Sequence, residues 1–191
     1  MESLYDPNGD RLYLTASERA AFLEAARHSR RDVRSFCEVL HFTGCRISEA
    51  LAICPKNIDF ENQALIFETL KKRRSGVFRE VPVPDRLLDT LGLVHAIKDQ
   101  KTNRNQSLWS WSRTTAWRHV KAVLQHARIA PGALCSPKGL RHSYGVAAIS
   151  AGVPLNMLSK WMGHSKIETT AIYANALGAE QRIIAEKMWQ S

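Results

Sequence analysis

The chain is 191 residues long and carries 27 Lys plus Arg against 18 Asp plus Glu, a formal net charge of +9. That length suits one domain with a real core and excludes two full-sized ones, and the charge points to a polyanionic partner: DNA, RNA or an anionic membrane surface. No apolar run approaches the about 18 residues of a membrane span, no signal peptide opens the chain, and Cys37, Cys45, Cys54 and Cys135 lack the Cys-x-x-Cys spacing of a metal knuckle or redox pair, so buried free thiols in a cytoplasmic protein, nucleoid-associated if the polyanion is DNA, are expected.

Thr15-Ala-Ser-Glu18 is a capping-box pattern ahead of Ala20, Phe22, Leu23 and Ala26, and predicts a helix. Val33, Phe36, Cys37 and Leu40 recur at helical spacing, Gly44 can stop that helix in a left-handed conformation, and Ser48 to Ala52 restarts as helix. From Asn57 the period changes. Ile58 and Phe60 alternate with polar residues, Glu61-Asn62-Gln63 can turn, and Ala64 to Leu70 reads as strand. Lys71-Lys72-Arg73-Arg74-Ser75-Gly76 is a basic loop. Val77, Arg79, Val81 and Val83 then share one face of a third strand, closed by Pro82 and Pro84.

The rest is helical. Leu87 to Ile97 forms one helix, and Trp117, Val120, Leu124 and Ala127 mark another. Ser136-Pro137 is an N-cap followed by proline at the first helical position, and that helix runs to Ala151. Pro154 opens a short helix closed by Gly163. Ser165-Lys166-Ile167-Glu168 is a second capping box, predicting the helix that carries Tyr173, and Ala179 to Trp189 is a terminal helix. The expected fold is α+β, mainly α, with a small three-stranded antiparallel sheet. Residues 1–191 are expected to form a single domain.

Charge is concentrated. From Lys98 to Arg141 there are nine basic residues, Arg113, Arg118 and Lys121 among them, against one acid, Asp99. A basic face for a nucleic-acid backbone follows. Four clusters stand out: Thr43-Gly44-Cys45-Arg46-Ile47-Ser48-Glu49, the strand-end pair Lys71-Lys72, Lys138-Gly-Leu-Arg141-His142, and Gly163-His164-Ser165 followed by Tyr173. Lys138 and Arg141 share a helix face. Taken singly each cluster is ordinary. Pro154 to Tyr173 also reads as a helix-turn-helix, which would bind DNA without chemistry.

Together the clusters resemble the catalytic domain of the tyrosine recombinases, the lambda-integrase family, from about Leu14 to the C-terminus. Thr-Gly-x-Arg-x-Ser-Glu is similar to the family's first arginine box and Leu-Arg-His-Ser-Tyr-Gly to its second. Trp-Met-Gly-His-Ser-Lys-Ile-Glu-Thr-Thr-Ala-Ile-Tyr is similar to its closing box, and the steps of 23 residues from Arg141 to His164 and nine to Tyr173 fit. The resemblance implies that Tyr173 attacks a DNA phosphodiester, forms a 3′-phosphotyrosine and releases a 5′-hydroxyl. Arg46 and Arg141 would clamp the non-bridging oxygens, since guanidinium binds phosphate bidentately. A hairpin lysine, Lys71 or its rival Lys72, would protonate the leaving oxygen. His164 would donate to the phosphate or assist the nucleophile, and Glu49 would support Arg46. Arg73 and Arg74, like Arg113, Arg118 and Lys121, are expected to touch DNA phosphates. The resemblance calls for no metal and no cofactor, and for a homotetramer on paired sites in double-stranded DNA, monomeric or weakly associated off DNA.

Two departures stand out. Lys138 occupies a position that is most often His in this family. An ordinary lysine is protonated at neutral pH and a poor base, so its role is phosphate contact first and proton transfer second. Only 45 residues precede Arg46, so the separate N-terminal core-binding domain is expected to be absent. The terminal helix, with Ile183, Ile184, Met188 and Trp189, is a candidate for docking on a neighbouring protomer. Trp109-Ser-Trp111 is expected to seal a core edge rather than stack on nucleic acid. Two other functions stay open: a non-catalytic DNA-binding relative acting as a regulator, and a DNA-relaxing enzyme of the type-IB topoisomerase kind.

Overall fold

The computed structural model describes residues 3–68, 77–97 and 102–175, together with 182, 185, 186 and 189. Helix α1 (Ala16–Arg27) starts where expected. Thr15 Oγ1 accepts from the Glu18 backbone N–H, and Glu18 Oε2 accepts from the Thr15 N–H at 2.8 Å, so both arms of the capping box form. Helix α2 (Arg31–Thr43) is central and packs against α1 and four later helices. Its residues Val33, Phe36, Cys37, Val39 and Leu40 are all buried.

Gly44 ends α2 with φ of 59°. A Cβ there would lie 2.4 Å from the Tyr144 ring, so the position needs glycine for its backbone angle and for its space. The chain reverses at once into α3 (Ile47–Leu51). A single 3-10 turn, Pro55–Asn57, leads into the sheet.

Strands β1 (Ile58–Asp59), β2 (Ala64–Glu68) and β3 (Phe78–Pro82) form one antiparallel sheet in the order β1-β2-β3. Leu65 pairs with Val81 and Phe67 with Arg79. The inward face of β3 is the one read from alternation, except that Val77 stands exposed outside the strand. The strand predicted over residues 64–70 is seen through Glu68. Residues 69–76, and with them Lys71, Lys72, Arg73 and Arg74, lie outside the described residues.

Helix α4 (Asp85–Val94) is shorter than expected at its C-terminus; Ala96 takes a left-handed φ of 49° and turns the chain away. The two tryptophans seal the core. Trp109 is buried, its indole N–H donates to the Asp32 carbonyl at 2.9 Å, and both Trp109 and Trp111 meet the Phe36 ring edge-on. Helix α5 (Arg113–His126) buries Ala116, Val120, Val123 and Leu124. Trp117, expected on this apolar stripe, is instead 43% exposed.

Helix α6 (Pro137–Ser150) has Ser136 as its side-chain cap, as expected. Helix α7 (Leu155–Met162) ends at Gly163. The second capping box does not form. Helix α8 (Glu168–Ala171) has Ile167 at its cap with no side-chain hydrogen bond, and Tyr173 sits on the following 3-10 turn, Ile172–Asn175, not on an α-helix. The chain here folds around the Tyr173 ring, which packs with Leu4, Tyr13, Val146, Leu158, Met162 and Ile172 in an apolar cluster of its own. Burial of that ring outweighs local capping.

Within the predicted terminal helix, Trp189 is 65% exposed and Arg182 pairs with Glu186 one turn on; Ile183, Ile184 and Met188 lie outside the described residues. All four cysteines are buried free thiols. Among the described residues, no helix is long and apolar enough to cross a membrane.

Candidate active site

The reversal at Gly44 and the start of α6 face the 3-10 turn across a cleft of about 520 Å³. Arg46, Lys138, Arg141, His164 and Tyr173 all line it, so four distant stretches of chain converge on one cavity. Arg113, at the first turn of α5, lines the same cleft with Trp117. Arg118 is exposed on α5 but is not part of the lining. Lys121 donates its Nζ to the Cys135 carbonyl at 2.8 Å, which ties α5 to the loop before α6.

Arg141 is the most constrained cation. Nη1 donates to the Gly44 carbonyl at 2.6 Å; Nη2 donates to the Met162 carbonyl at 2.7 Å and to His164 Nε2 at 2.9 Å. The guanidinium is thereby fixed in orientation with N–H donors left for an anion. Burial, and then the charge of Arg46, lowers its pKa from the ordinary arginine value. An anion between the two guanidiniums offsets both effects.

Arginine only donates, so His164 Nε2 must accept. Its proton is therefore on Nδ1, which donates to Thr170 Oγ1 at 2.8 Å. Burial, reinforced by Arg141 and Arg46, pushes the His164 pKa down to about 4, in agreement with a neutral ring. Thr170 is fully buried and sets this tautomer.

Glu49 serves two arginines. Its Oε2 accepts from the Arg46 backbone N–H and from Arg79 Nη2, each at 2.8 Å, and Oε1 accepts from Arg46 Nη1 at 3.2 Å. Burial raises its pKa, but the Arg79 hydrogen bond and charge, with Arg46, more than compensate and hold it below the ordinary 4.5. Sequence reasoning assigned Arg79 no role. It is 5% exposed, spans the Phe67 ring at 4.9 Å, and donates Nε to the Trp161 carbonyl at 2.8 Å. One signal was present: a charged residue at an inward position of an alternating strand needs a buried partner.

Tyr173 is 1% exposed. Its ring lies parallel to the His164 ring with centroids 6.4 Å apart. Its hydroxyl is 3.4 Å from Nδ1 of His142, a second site residue without an assigned role. Burial, then Lys138 and Arg141, pushes the His142 pKa down to about 4. Gly145 lets the ring in: a Cβ at that position would lie 2.5 Å from Tyr173 Cε1. Cys45 also lines the cleft, and burial pushes its thiol up to about 12, so it stays neutral.

The fold and site define a mainly helical α+β domain that gathers cations and a tyrosine around one open cleft. The chain belongs to the phage integrase family, whose profile matches residues 13–180. It is 29% identical over 180 residues to tyrosine recombinase XerD of Mycobacterium leprae, an alignment covering 84% of this chain and 55% of that protein. It is 25% identical to tyrosine recombinase XerA of Pyrococcus furiosus, covering 91% of this chain and 60% of that one. The chain thus spans little more than half the length of these curated relatives. Among solved structures, XerH recombinase bound to its difH substrate superposes with a TM-score of 0.74 at 18% identity, over 97% of this chain and 59% of that one. The three-stranded sheet and helical body agree with the fold expected from sequence.

Proposed function

We propose that this chain cleaves and rejoins double-stranded DNA at specific sites through a covalent 3′-phosphotyrosine on Tyr173. The carrying observation is the cleft in which Arg46, Lys138, Arg141, His164 and Tyr173 meet. The arginines bind the non-bridging phosphate oxygens and stabilise the charge that grows on them, an effect worth about 10²–10³ in rate per donor. Lys138, exposed at the rim, adds charge beside the same phosphate. Lys71, with Lys72 as its rival, protonates the departing 5′-oxygen. Arg113 holds the flanking backbone, and Arg73, Arg74 and Arg118 add further phosphate contacts. The shared fold with the Tn1549 transposon integrase, solved in complex with a circular intermediate DNA, supports DNA as the partner. The reaction is a transesterification and calls for no nucleotide triphosphate. Residues 1–191 act as one catalytic domain, assembled as a homotetramer on paired sites.

Nicked duplexes drawn from the DNA flanking the gene test this reading. Loss of a short fragment beside the nick traps the intermediate, so the expected product is an SDS-resistant adduct whose DNA-bearing peptide contains Tyr173. Specific binding without any adduct would overturn it.

Gly145→Ala provides a second check. The added methyl collides with the Tyr173 ring, so overpacking costs about 1–3 kcal/mol. Displacement of the nucleophile by about 1 Å lowers adduct formation about 100-fold. Thermal unfolding and single-turnover cleavage read the two effects separately.

A further inference from the structure

We propose that His142 is the proton acceptor for Tyr173, taking the phenolic proton on Nδ1 as the hydroxyl attacks phosphorus. The inference rests on the recombinase reading and gives to His142 a step for which the sequence had offered Lys138 or His164.

Geometry carries it. His142 follows Arg141 on α6, is 3% exposed, and holds Nδ1 at 3.4 Å from the Tyr173 hydroxyl with the two ring centroids 5.9 Å apart. Its other nitrogen, Nε2, is buried with no hydrogen-bond partner among the described residues. For the phenol to donate, Nδ1 must carry the lone pair and Nε2 the proton, which makes the orphaned atom an N–H.

The other candidates are occupied or unsuited. Both nitrogens of His164 are engaged, Nε2 by Arg141 and Nδ1 by Thr170. Lys138 stands exposed at the rim of the cleft, suited to phosphate contact. The charged and titratable groups lining the cleft with His142 are Lys138 and Arg141 of its own helix, Arg46 and Arg113 across the cavity, and His164 and Tyr173 on the closing segment; the Cys45 thiol is neutral. Burial, with Lys138 and Arg141, keeps the imidazole unprotonated in the free protein. A phosphodiester in the cleft counters those positive charges and raises its basicity when DNA is bound.

The step balances. The Tyr173 O–H bond breaks and its proton passes to His142 Nδ1, giving an imidazolium. The freed electron pair forms the phosphorus–oxygen bond as the bond to the 5′-oxygen breaks, and that oxygen takes a proton from the hairpin lysine. In rejoining, the imidazolium returns its proton to the departing tyrosine, and the attacking 5′-hydroxyl restores the lysine.

His142→Asn tests the assignment, because its amide oxygen can accept from the phenol but cannot carry the proton away. The expected result is DNA binding and thermal unfolding close to wild type, with the adduct rate down about 10²–10⁴-fold. The wild-type rate should fall in acid as His142 protonates; that limb disappears in His142→Asn and persists in His164→Asn. Adduct formation by His142→Asn within threefold of wild type overturns the inference while the recombinase reading stands. No adduct from wild type overturns both. A measurement on the wild-type chain covers a variant that fails to fold: imidazole ¹⁵N shifts at neutral pH should show the proton on Nε2, and a proton on Nδ1 overturns the inference.

Discussion

Tyr173→Phe is expected to bind duplex DNA as wild type does and to form no covalent adduct, with cleavage falling by about 10⁴-fold or more, as when a covalent nucleophile is removed. Only one oxygen is lost. The ring keeps its place against Gly145 and among Val146, Leu158 and Met162, so the variant should fold. The missing hydroxyl leaves His142 Nδ1 without its 3.4 Å contact, beside an Nε2 that already lacks a partner among the described residues. An unsatisfied buried group costs about 1–3 kcal/mol, and a contact this long belongs at the lower end. Gel shift, SDS-resistant adduct yield and urea unfolding give three independent readings. Adduct formation by the Phe variant would show that another residue attacks.

Glu49→Ala is expected to destabilise the fold by about 3–5 kcal/mol, the cost of breaking a buried ion pair from one side. Arg79 would keep its charge at 5% exposure, with Nη1 already unpartnered among the described residues, and would retain there the Trp161 carbonyl and the Phe67 face. The Arg46 backbone N–H would lose its acceptor, so the first arginine of the cleft would also lose its anchor. Urea unfolding measures the loss; a change below about 1 kcal/mol would mean that water or a rearranged side chain replaces the carboxylate. The same pair predicts a pH effect. The Glu49 pKa is lower in the folded chain than its ordinary 4.5. Its stabilisation is therefore fully present above the unfolded value and is lost as pH falls through the lower, folded one. Wild-type stability should drop more steeply below about pH 4.5 than that of Glu49→Gln, whose amide does not titrate in this range.

Much of the frame was legible because the signals are local. The Thr15 box, Gly44 at the end of α2 and the Ser136 cap depend on groups within four residues of one another. Strand alternation marked the inward face of β3. The same reading went astray at Ser165–Glu168, where a locally favourable box lost to burial of the Tyr173 ring, and at Trp117, where helical spacing put on the core stripe a residue that lines the cleft.

Arg46, Lys138, Arg141, His164 and Tyr173 were identifiable as a set because chemistry restricts which residue types can do each task and the boxes preserve their order. Sequence by itself determined the basic charge, the mainly helical α+β pattern and the candidate residues that prove to line one cleft. Tertiary structure decided how those residues are paired and protonated. Glu49 meets Arg79 across 30 residues, Arg79 meets Trp161 across 82, and Tyr173 meets His142 across 31. None of these contacts leaves a periodic trace, since each depends on where α3, β3, α6 and the closing turn come to rest. Burial then does what sequence does not encode locally: it strips water from His142 and His164 and favours their neutral rings, and at His164 the neighbours of the two nitrogens choose the tautomer.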